Sequence, residues 1–426
     1  MVSGRTSPAP DLPLQLAIAS LAILPIAFFF SALLLLTSGF LNLRQRGWQG
    51  GDRRLYQLLS LQAIAILAVT ATHNTASSWL GMFNYLPFLG YFVLITQFLS
   101  RSERIRPCLQ AIVTSSLPVS LLGLGQAIWG WEGRLELIPI VSVIKLRFIS
   151  GRPTSVFSSP NHLAVYLVIV GAIAWGLWMA RPKQLCVETV VQVVAFGIAL
   201  PLLILTTSRN GWLIGLLGVF LALIIERRWR WTFGAILACL LPVGAALGFP
   251  GLRAIVPAAI WQRLIDSFVP GTLAHIAAVT RWELWQLAWQ LSLERPLTGW
   301  GWQSFGQIYQ SQVPPPREAL THAHNLLLNI AAGGGWALAI LFLIIWGWIW
   351  LGGWQAWYRW RLQHPGIEYP ILGICLALTC YFSSGFMDAV YLDGRLNVLI
   401  WTTLSCVRGF SYMNLVDHQG TSDCTA

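Results

Sequence analysis

Two histidines lie where a long polar stretch of the sequence gives way to a strongly apolar one. The segment 321–325 reads Thr-His-Ala-His-Asn, and the run 326–351 that follows is rich in Leu, Ile and Trp. An imidazole titrates near neutral pH, so we interpret His324 or His322 as a general base that activates a hydroxyl nucleophile. Helix capping is an alternative, and a zinc site is a weaker one, because only Glu318 is close in sequence. The spacing does not choose between the two rings, and the asparagine that follows them is a candidate to orient one.

Two arginines lie in polar segments where local structure does not require them. The tight turn 206–211 needs Ser, Asn or Gly, but it does not need Arg209. Arg281 lies in a segment, 273–294, where Trp and Leu recur at spacings of three and four, which predicts an amphipathic helix in the membrane plane. A guanidinium binds phosphate with a fixed fork, so both residues are candidate phosphate ligands. Contact with lipid headgroups is the alternative for Arg209.

The polar segment 151–164 leads into another apolar run. Ser159 and Pro160 predict a helix N-cap and first turn at this point. The free N–H groups of a helix N-terminus suit an anion, so Arg152 and Asn161 are further candidate ligands. Plain helix capping is the alternative.

Asp388, Asp393 and Arg395 form a third polar group. Paired carboxylates can act as acid and base, which makes these residues secondary catalytic candidates. In so short a loop, a salt bridge to Arg395 is the expected role.

The composition requires a membrane around these segments. Of the 426 residues, 56% are hydrophobic and only 10% are charged, against about 25% charged in soluble domains. The 23 tryptophans, many near the ends of apolar runs, suit the headgroup level of membrane lipids. The net charge of +11 does not indicate nucleic acid, because no basic run has interleaved aromatic residues. The predicted fold class is an all-α, polytopic integral membrane protein.

Apolar runs predict about eleven transmembrane spans. The first contains Pro25 and is long enough to be a broken hairpin, which would give about twelve. The runs are 14–37, 56–72, 79–99, 107–129, 161–180, 188–206, 211–225, 232–249, 325–350, 370–387 and 395–411. The predicted units are N-terminal spans (1–249), a long outer loop with an amphipathic helix (250–324), C-terminal spans (325–411) and a tail (412–426).

Charge predicts the orientation of these spans. Alternate loops carry positive residues, and this side is predicted to be cytoplasmic. The residues are Arg44, Arg46, Arg53, Arg54, Arg101, Arg104, Arg106, Arg181, Lys183, Arg227, Arg228, Arg230, Arg359 and Arg361. Every candidate site residue then falls on the opposite, outer face. Arginine on the outer face runs against the insertion bias, which indicates an anionic ligand there.

Together these motifs resemble the O-antigen ligase and polymerase superfamily of bacterial membrane proteins, over about 150 to 345. The carriers of the resemblance are the segment 152–164, Ser208-Arg209, the Arg281 helix with the Pro-x-x-Gly-x-Gly motif at 296–301, and His-x-His-Asn at 322–325. The family's better-known ligases have twelve spans with both ends inside, whereas eleven spans here would put the N-terminus outside.

The resemblance implies a metal-independent, inverting glycosyltransferase without a cofactor. Its donor would be a glycan on undecaprenyl diphosphate, at the periplasmic face of the inner membrane, and its acceptor a lipid A core or another glycan. Arg209 and Arg281 would hold the diphosphate, and His324 or His322 would deprotonate the acceptor hydroxyl.

A membrane anion transporter is the alternative function. The segment around Asn161 looks like cyanobacterial members of the superfamily, some of which are labelled putative bicarbonate transporters. A transporter places polar groups near the middle of the bilayer. Here the apolar runs carry almost no ionisable residues at their centres, which favours an enzyme acting at one edge.

Overall fold

The computed structural model describes residues 11–48, 50–138, 142–146, 148–149, 151–180, 186–312, 320–363 and 368–412. Glu318 and residues 413–426 of the predicted tail lie outside these ranges. The described chain is almost entirely helical, and the predicted all-α membrane fold is confirmed. Its N-terminal helices are α1 (Leu12–Ile23), α2 (Phe28–Arg46), α3 (Arg53–His73), α4 (Ala76–Met82), α5 (Leu86–Phe98), α6 (Ser102–Trp129), α7 (Pro160–Met179), α8 (Val187–Leu205), α9 (Arg209–Ile225) and α10 (Trp229–Ala246).

The C-terminal half begins with short helices and ends with three long ones. They are α11 (Pro250–Ile255), α12 (Ala258–Ile265), α13 (Leu273–Glu294), α14 (Phe305–Gln312), α15 (Leu326–Gln363), α16 (Tyr369–Ser384) and α17 (Gly394–Tyr412). Among the described residues, 8 helices are long and apolar enough to cross a membrane, with α4 and α5 taken together, and α1, α9 and α16 are shorter apolar helices.

The first apolar run is a helical hairpin. Ser20 Oγ donates to the carbonyl of Ser31 at 2.7 Å, and Ser38 Oγ donates to that of Pro13 at 2.6 Å. Because the pairs run in opposite order, α1 and α2 are antiparallel, with the break at Pro25. A single span over 14–37 is therefore wrong, and the hairpin alternative is confirmed.

The hairpin brings the start of the chain to the arginine-rich end of the molecule. Asp11 lies 2.9 Å from the guanidinium of Arg104. At the same end Arg408 pairs with Asp52 near the end of α17. The expectation that an eleven-span chain starts on the outer side is therefore corrected. Arg181 and Lys183 lie outside the described residues.

Two small antiparallel hairpins lie between α6 and α7, at the end of the molecule that is predicted to face outward. Their strands are β1 (Gly133–Ile138), β2 (Ser142–Leu146), β3 (Phe148–Ile149) and β4 (Arg152–Pro153), with β1 paired to β2 and β3 to β4. In the second hairpin Ile149 pairs with Arg152. This pairing fixes the backbone of Arg152 just before α7.

A helix with the predicted bounds is present, as α13, but its apolar residues lie on exposed as well as buried faces, so it is not the amphipathic helix that was predicted. Its buried face consists of Leu284, Ala288 and Leu291, which pack with residues of α14 and α15. Trp282 and Trp289 of the predicted stripe are instead exposed. The stripe is therefore not the packed face of α13. Its position in a membrane plane stays a prediction.

Helix α15 is interrupted at Gly335, whose φ of 83° and ψ of 166° are not helical. The break frees backbone groups that bond to the Pro-x-x-Gly-x-Gly segment, where Trp336 N donates to the carbonyl of Pro296 at 2.6 Å. A Cβ on Gly299 would lie 2.4 Å from the Gly333 carbonyl carbon. Only glycine permits this approach, which explains the motif and fixes the segment after α13 against α15.

Candidate active site

The histidine segment is a turn whose last residue starts α15. Asn325 caps the helix, because its Oδ1 accepts from Leu328 N at 3.0 Å while its Nδ2 donates to the carbonyl of Phe386 at 3.2 Å. Asn325 therefore does not orient an imidazole, which corrects the sequence-based expectation. His324 has a φ of +48°, a strained conformation of the kind that clusters at functional sites.

Asp388 orients the His324 ring. Its Oδ1 lies 3.0 Å from His324 Nδ1, and its side chain is almost fully buried. Burial alone would raise the pKa of Asp388, but the hydrogen bond from His324 and the neighbouring imidazoles outweigh it and hold the pKa well below its usual range. The ionised carboxylate keeps the proton on Nδ1 and leaves His324 Nε2 as the basic nitrogen. The expected contact of Asp388 with Arg395 is thus replaced by one with a histidine.

His322 lies against His324 in a different protonation environment. The ring centroids are 4.2 Å apart, and His324 N donates to His322 Nδ1 at 3.2 Å. His322 therefore carries its proton on Nε2, which is 4.0 Å from Asp388 Oδ1. Burial, followed by the charge of His324, lowers the pKa of His322 to about 4. His322 is neutral at pH 7 and is a weak base.

Asn161, in the first turn of α7, connects this histidine pair to an arginine. Its Nδ2 donates to Asp388 Oδ2 at 3.1 Å. Its Oδ1 accepts from Arg152 at 3.1 Å and from Ser208 Oγ at 2.9 Å. The helix start predicted here is present, with Ser159 Oγ accepting from the backbone of residue 162 at 3.2 Å. One amide therefore links the ends of three helices.

Arginines converge beside the Asn161 link. Arg152 Nε donates to the carbonyl of Thr206 at 2.7 Å. Burial, and then the charges of Arg263, Arg281 and Arg209, lower the pKa of Arg152 to about 10. Four guanidinium groups from separate segments thus form one region of positive potential. We call these residues, Arg152, Arg209, Arg263 and Arg281, the arginine cluster.

The arginine cluster reaches the histidine pair through Arg281, whose charge contributes to lowering the pKa of His322, after burial and the closer His324. Arg281 also lies one helical turn from Trp285 on α13, and Trp285 Nε1 donates to the carbonyl of His324 at 3.3 Å. One face of α13 therefore positions both an arginine and the histidine turn.

Arg263 is the member of the cluster that sequence reasoning missed. It lies on α12, and its Nε is buried without a hydrogen-bond partner among the described residues. Other arginines of the same segment have partners: Arg253 Nε donates to the carbonyl of Ala245 at 2.9 Å, and Arg295 stacks on a Trp300 ring at 3.8 Å. The insertion bias against outer arginines, applied to this residue too, is the signal that would have identified it.

A second histidine–aspartate pair lies next to the first. His162 Nδ1 is 3.6 Å from Asp393 Oδ2 and 2.9 Å from Ser158 Oγ. The expected pairing of Asp393 with Arg395 is long, at 4.0 Å, and Arg395 Nε instead donates to the carbonyl of Pro25 at 2.8 Å. Arg395 therefore braces the first helical hairpin, and Asp393 lies between Arg395 and His162, close to the site but not within the histidine pair.

His322, His324 and Asp388 also offer one ligand atom each within 4.8 Å of one another, so this group could hold a metal ion. The zinc alternative considered from sequence named Glu318, which lies outside the described residues. The structure provides Asp388 as the third donor instead.

The site as a whole is built from helix ends. Arg152 and Asn161 flank the start of α7, Arg209 begins α9, His324 precedes α15 and Asp388 follows α16. Such an arrangement offers fixed positive charge beside an oriented imidazole. It can bind an anionic group and take a proton from a neighbouring hydroxyl.

Comparison with known proteins shows what part of this chain is similar to. The sequence profile of the O-antigen ligase family matches residues 194–343, which contain Arg209, Arg263, Arg281 and both histidines. A general O-oligosaccharyltransferase of Acinetobacter baylyi (strain ATCC 33305 / BD413 / ADP1) is 27% identical over 213 residues, which are 47% of this chain and 35% of that protein. The match thus spans about a third of the relative's length. Residues 194–343 are therefore similar to the O-antigen ligase family, in agreement with the resemblance of the sequence motifs.

Proposed function

We propose that the protein transfers a glycan from a lipid-linked diphosphate, of the undecaprenyl type, to the hydroxyl of a glycan or lipid A-core acceptor. The observation that carries the proposal is the arginine cluster beside the His324–Asp388 pair. A diphosphate leaving group develops negative charge, and a hydroxyl nucleophile must lose a proton. In the site, the arginine cluster can stabilise the negative charge and His324 can accept the proton, and both lie at the same set of helix ends.

The proposed reaction is a direct displacement at the anomeric carbon. His324 Nε2 takes the acceptor's hydroxyl proton as the oxygen forms its bond to that carbon. The bond to the diphosphate oxygen breaks, and its electron pair leaves with the diphosphate. Arg209, Arg263 and Arg281 stabilise the charge that appears there. A single displacement inverts the anomeric configuration.

Arg152 and Asn161 act in this proposal chiefly as positioning residues. Both the nitrogen and the oxygen of the Asn161 side-chain amide form hydrogen bonds with protein groups. Two nitrogens of Arg152 donate hydrogen bonds to Thr206 and Asn161. Their remaining contribution is the positive field and the placement of Asp388. Asp388 orients His324 and is not itself the base.

The location of these groups favours transfer over transport. Ionisable side chains of the site gather at helix ends on one face, opposite the arginine-rich end. A transporter of anions would need polar positions near the middle of the spans. We therefore propose the periplasmic face of the inner membrane as the side of reaction.

We propose that the transfer is independent of a metal, although the histidine group offers three ligand atoms. Guanidinium groups supply charge to the leaving group without a metal, and His322 Nδ1 is occupied by a backbone N–H. Transfer by the purified protein should be unchanged by a chelator. A loss of rate that zinc restores would overturn this part of the proposal.

The test is transfer by purified protein from a lipid diphosphate-linked oligosaccharide to an oligosaccharide acceptor. Arg209→Ala, Arg263→Ala and Arg281→Ala should each reduce transfer at least about tenfold, while Arg295→Ala, a matched arginine stacked on Trp300, should not. The anomeric configuration of the product, read by NMR, should be inverted. Full activity in the three cluster variants would contradict the proposal.

A cellular test separates ligase, polymerase and transporter. Deletion of the encoding gene should remove the whole polysaccharide ladder on a lipopolysaccharide gel if the protein is a ligase. Collapse of the ladder to one repeat would indicate a polymerase. An intact ladder with impaired carbon uptake would indicate the anion transporter.

A further inference from the structure

A polar cavity of about 340 Å³ borders the histidine segment. Its lining contains none of the residues proposed to bind the diphosphate or to remove the acceptor's proton. Its lining includes Thr321, which directly precedes His322, and Leu392, which directly precedes Asp393. The cavity therefore lies directly beside the turn that carries the two histidines. The lining also includes Ser77, Gly81, Asn84 and Gln303.

The wall of this cavity is held by specific contacts between α4 and the turn that follows the Pro-x-x-Gly-x-Gly motif. Ser77 Oγ donates to Gln307 Oε1 at 2.8 Å, and Trp302 Nε1 donates to the carbonyl of Gly81 at 3.2 Å. Gln303 adopts a φ of +57°, and a Cβ on Gly81 would lie 2.8 Å from its side chain. A strained residue packed against a glycine at a cavity wall is a built feature, typical of ligand sites.

The side-chain amide of Gln303, at this wall, has hydrogen-bonding capacity that the rest of the described chain does not use. Gln303 Nε2 is buried without a regularly formed hydrogen bond among the described residues, although the Tyr391 hydroxyl is close. A buried amide nitrogen without a partner destabilises the folded protein. A ligand with hydroxyl acceptors would satisfy it.

The chemistry of the lining differs from that of the arginine cluster. Hydroxyl and amide groups both donate and accept, and within the described part of the chain no charged residue lines this cavity. Such a surface suits the hydroxyls of a neutral sugar better than a phosphate, because it provides no positive charge. Leu392 adds an apolar contact for a sugar face.

We propose that this cavity is the acceptor subsite, which binds a neutral, hydroxyl-rich sugar next to the histidine turn. The inference rests on the proposed transfer reaction and adds where the acceptor lies. The charged end of the donor occupies the arginine cluster, and the acceptor sugar occupies the cavity walled by α4 and Gln303. The acceptor hydroxyl nearest Thr321 is the one that reaches the base.

The test compares the dependence of transfer on acceptor and on donor. Gln303→Ala and Asn84→Ala should each raise the KM for an oligosaccharide acceptor about tenfold, because each removes a hydrogen bond to it. The KM for the lipid diphosphate donor and the slow transfer of its glycan to water should change less than about twofold. A rise in donor KM alone, or no change in acceptor KM in a protein that transfers glycan, would overturn the subsite and leave the reaction intact.

Two further variants keep the test decisive if Gln303→Ala folds poorly. Thr321→Val removes one exposed hydroxyl from the cavity and should raise the acceptor KM without affecting the donor KM. Gly81→Ala should do the same by displacing Gln303, whereas Gly90→Ala, where no atom lies within 4 Å of the new Cβ, should not.

Calorimetric titration of the purified protein with a neutral oligosaccharide separates the two proposals. Wild type should bind it, and Gln303→Ala and Asn84→Ala should weaken binding. Binding of this kind without any transfer would contradict the proposed reaction and support the cavity. Transfer with oligosaccharide binding unchanged in the variants would contradict the cavity alone.

Discussion

Two chemically identical side chains, His322 and His324, lie in contact and are prepared for different tasks. The Asp388 carboxylate accepts from His324 Nδ1, which frees the other nitrogen as a base. His322 accepts a backbone N–H instead and is held neutral. The environment of each ring, and not its identity, therefore decides its role.

Substitution at the histidine pair should show this division. His324→Ala should lower kcat at least about a hundredfold, because the proposed general base is lost. Asp388→Asn should lower it at least about tenfold, since the ring loses its orienting acceptor, and Asp393→Asn should have a smaller effect. Kinetics at saturating donor and acceptor check this expectation. A larger loss in His322→Ala than in His324→Ala would reverse the assignment.

The lowered pKa of His322 predicts a pH dependence of stability. Between its ordinary pKa of 6.5 and its folded pKa of about 4, the unfolded chain binds a proton on this ring that the folded protein does not. Stability from this group is therefore present above pH 6.5 and is lost as the pH falls toward about 4. The thermal midpoint in detergent should fall over this range, and less steeply in His322→Gln. An equal fall in both proteins would contradict the prediction.

Residue types and spacing could predict that these histidines, Arg209 and Arg281 are functional candidates. They could not predict which side chain orients which histidine ring. Asp388 is far from His324 in sequence, so only the packing of α15 against α16 could reveal their hydrogen bond. Arg263 carries no motif. Its significance comes from its guanidinium Nε, which is buried without a hydrogen-bond partner among the described residues.

At the scale of elements, hydropathy predicted the helices well, because a span must bury every backbone polar group in itself. Breaks within apolar runs were harder to predict. Pro25 marked the first one, so the hairpin was an open alternative. The interruption at Gly335 lies inside a continuous apolar run, where neither periodicity nor length changes. It exists because the 296–301 segment bonds to the freed carbonyls of α15.

Replacement of Gly335 should test the importance of this break. Gly335→Ala places a Cβ 2.6 Å from the Leu297 carbonyl at a φ that side chains rarely adopt, and should cost about 1–3 kcal/mol. Gly347→Ala in the same helix, where nothing lies within 4 Å, is the matched control. The thermal midpoint in detergent should fall for the first variant only. Equal midpoints would show that the break carries no strain.

At the scale of the molecule, charge and site lie at opposite ends. Asp11 with Arg104, and Asp52 with Arg408, join segments from both ends of the chain at the arginine-rich end. The site lies at the other end of the helical bundle, at the ends of α7, α9, α15 and α16. Counting charged loops predicted this separation. Hydropathy left the number of spans at eleven or twelve, because a hairpin and a long single span have the same hydropathy.

The hairpin predicts that both ends of the chain face the same compartment. A fluorescent protein fused to either terminus should fluoresce, as it does when it remains in the cytoplasm. An alkaline phosphatase fused after residue 74, at the end of α3, should be active, because that position is at the site end. A dark N-terminal fusion with a bright C-terminal one would contradict the hairpin.

The amide of Asn161 has a consequence for how the protein ages. Its nitrogen must donate to a carboxylate while its oxygen accepts from a guanidinium and a hydroxyl. Deamidation to aspartate would keep the shape of the side chain but would set two carboxylates face to face at Asp388. We expect this change to abolish the proposed transfer without unfolding the protein, because it turns one hydrogen bond into a repulsion.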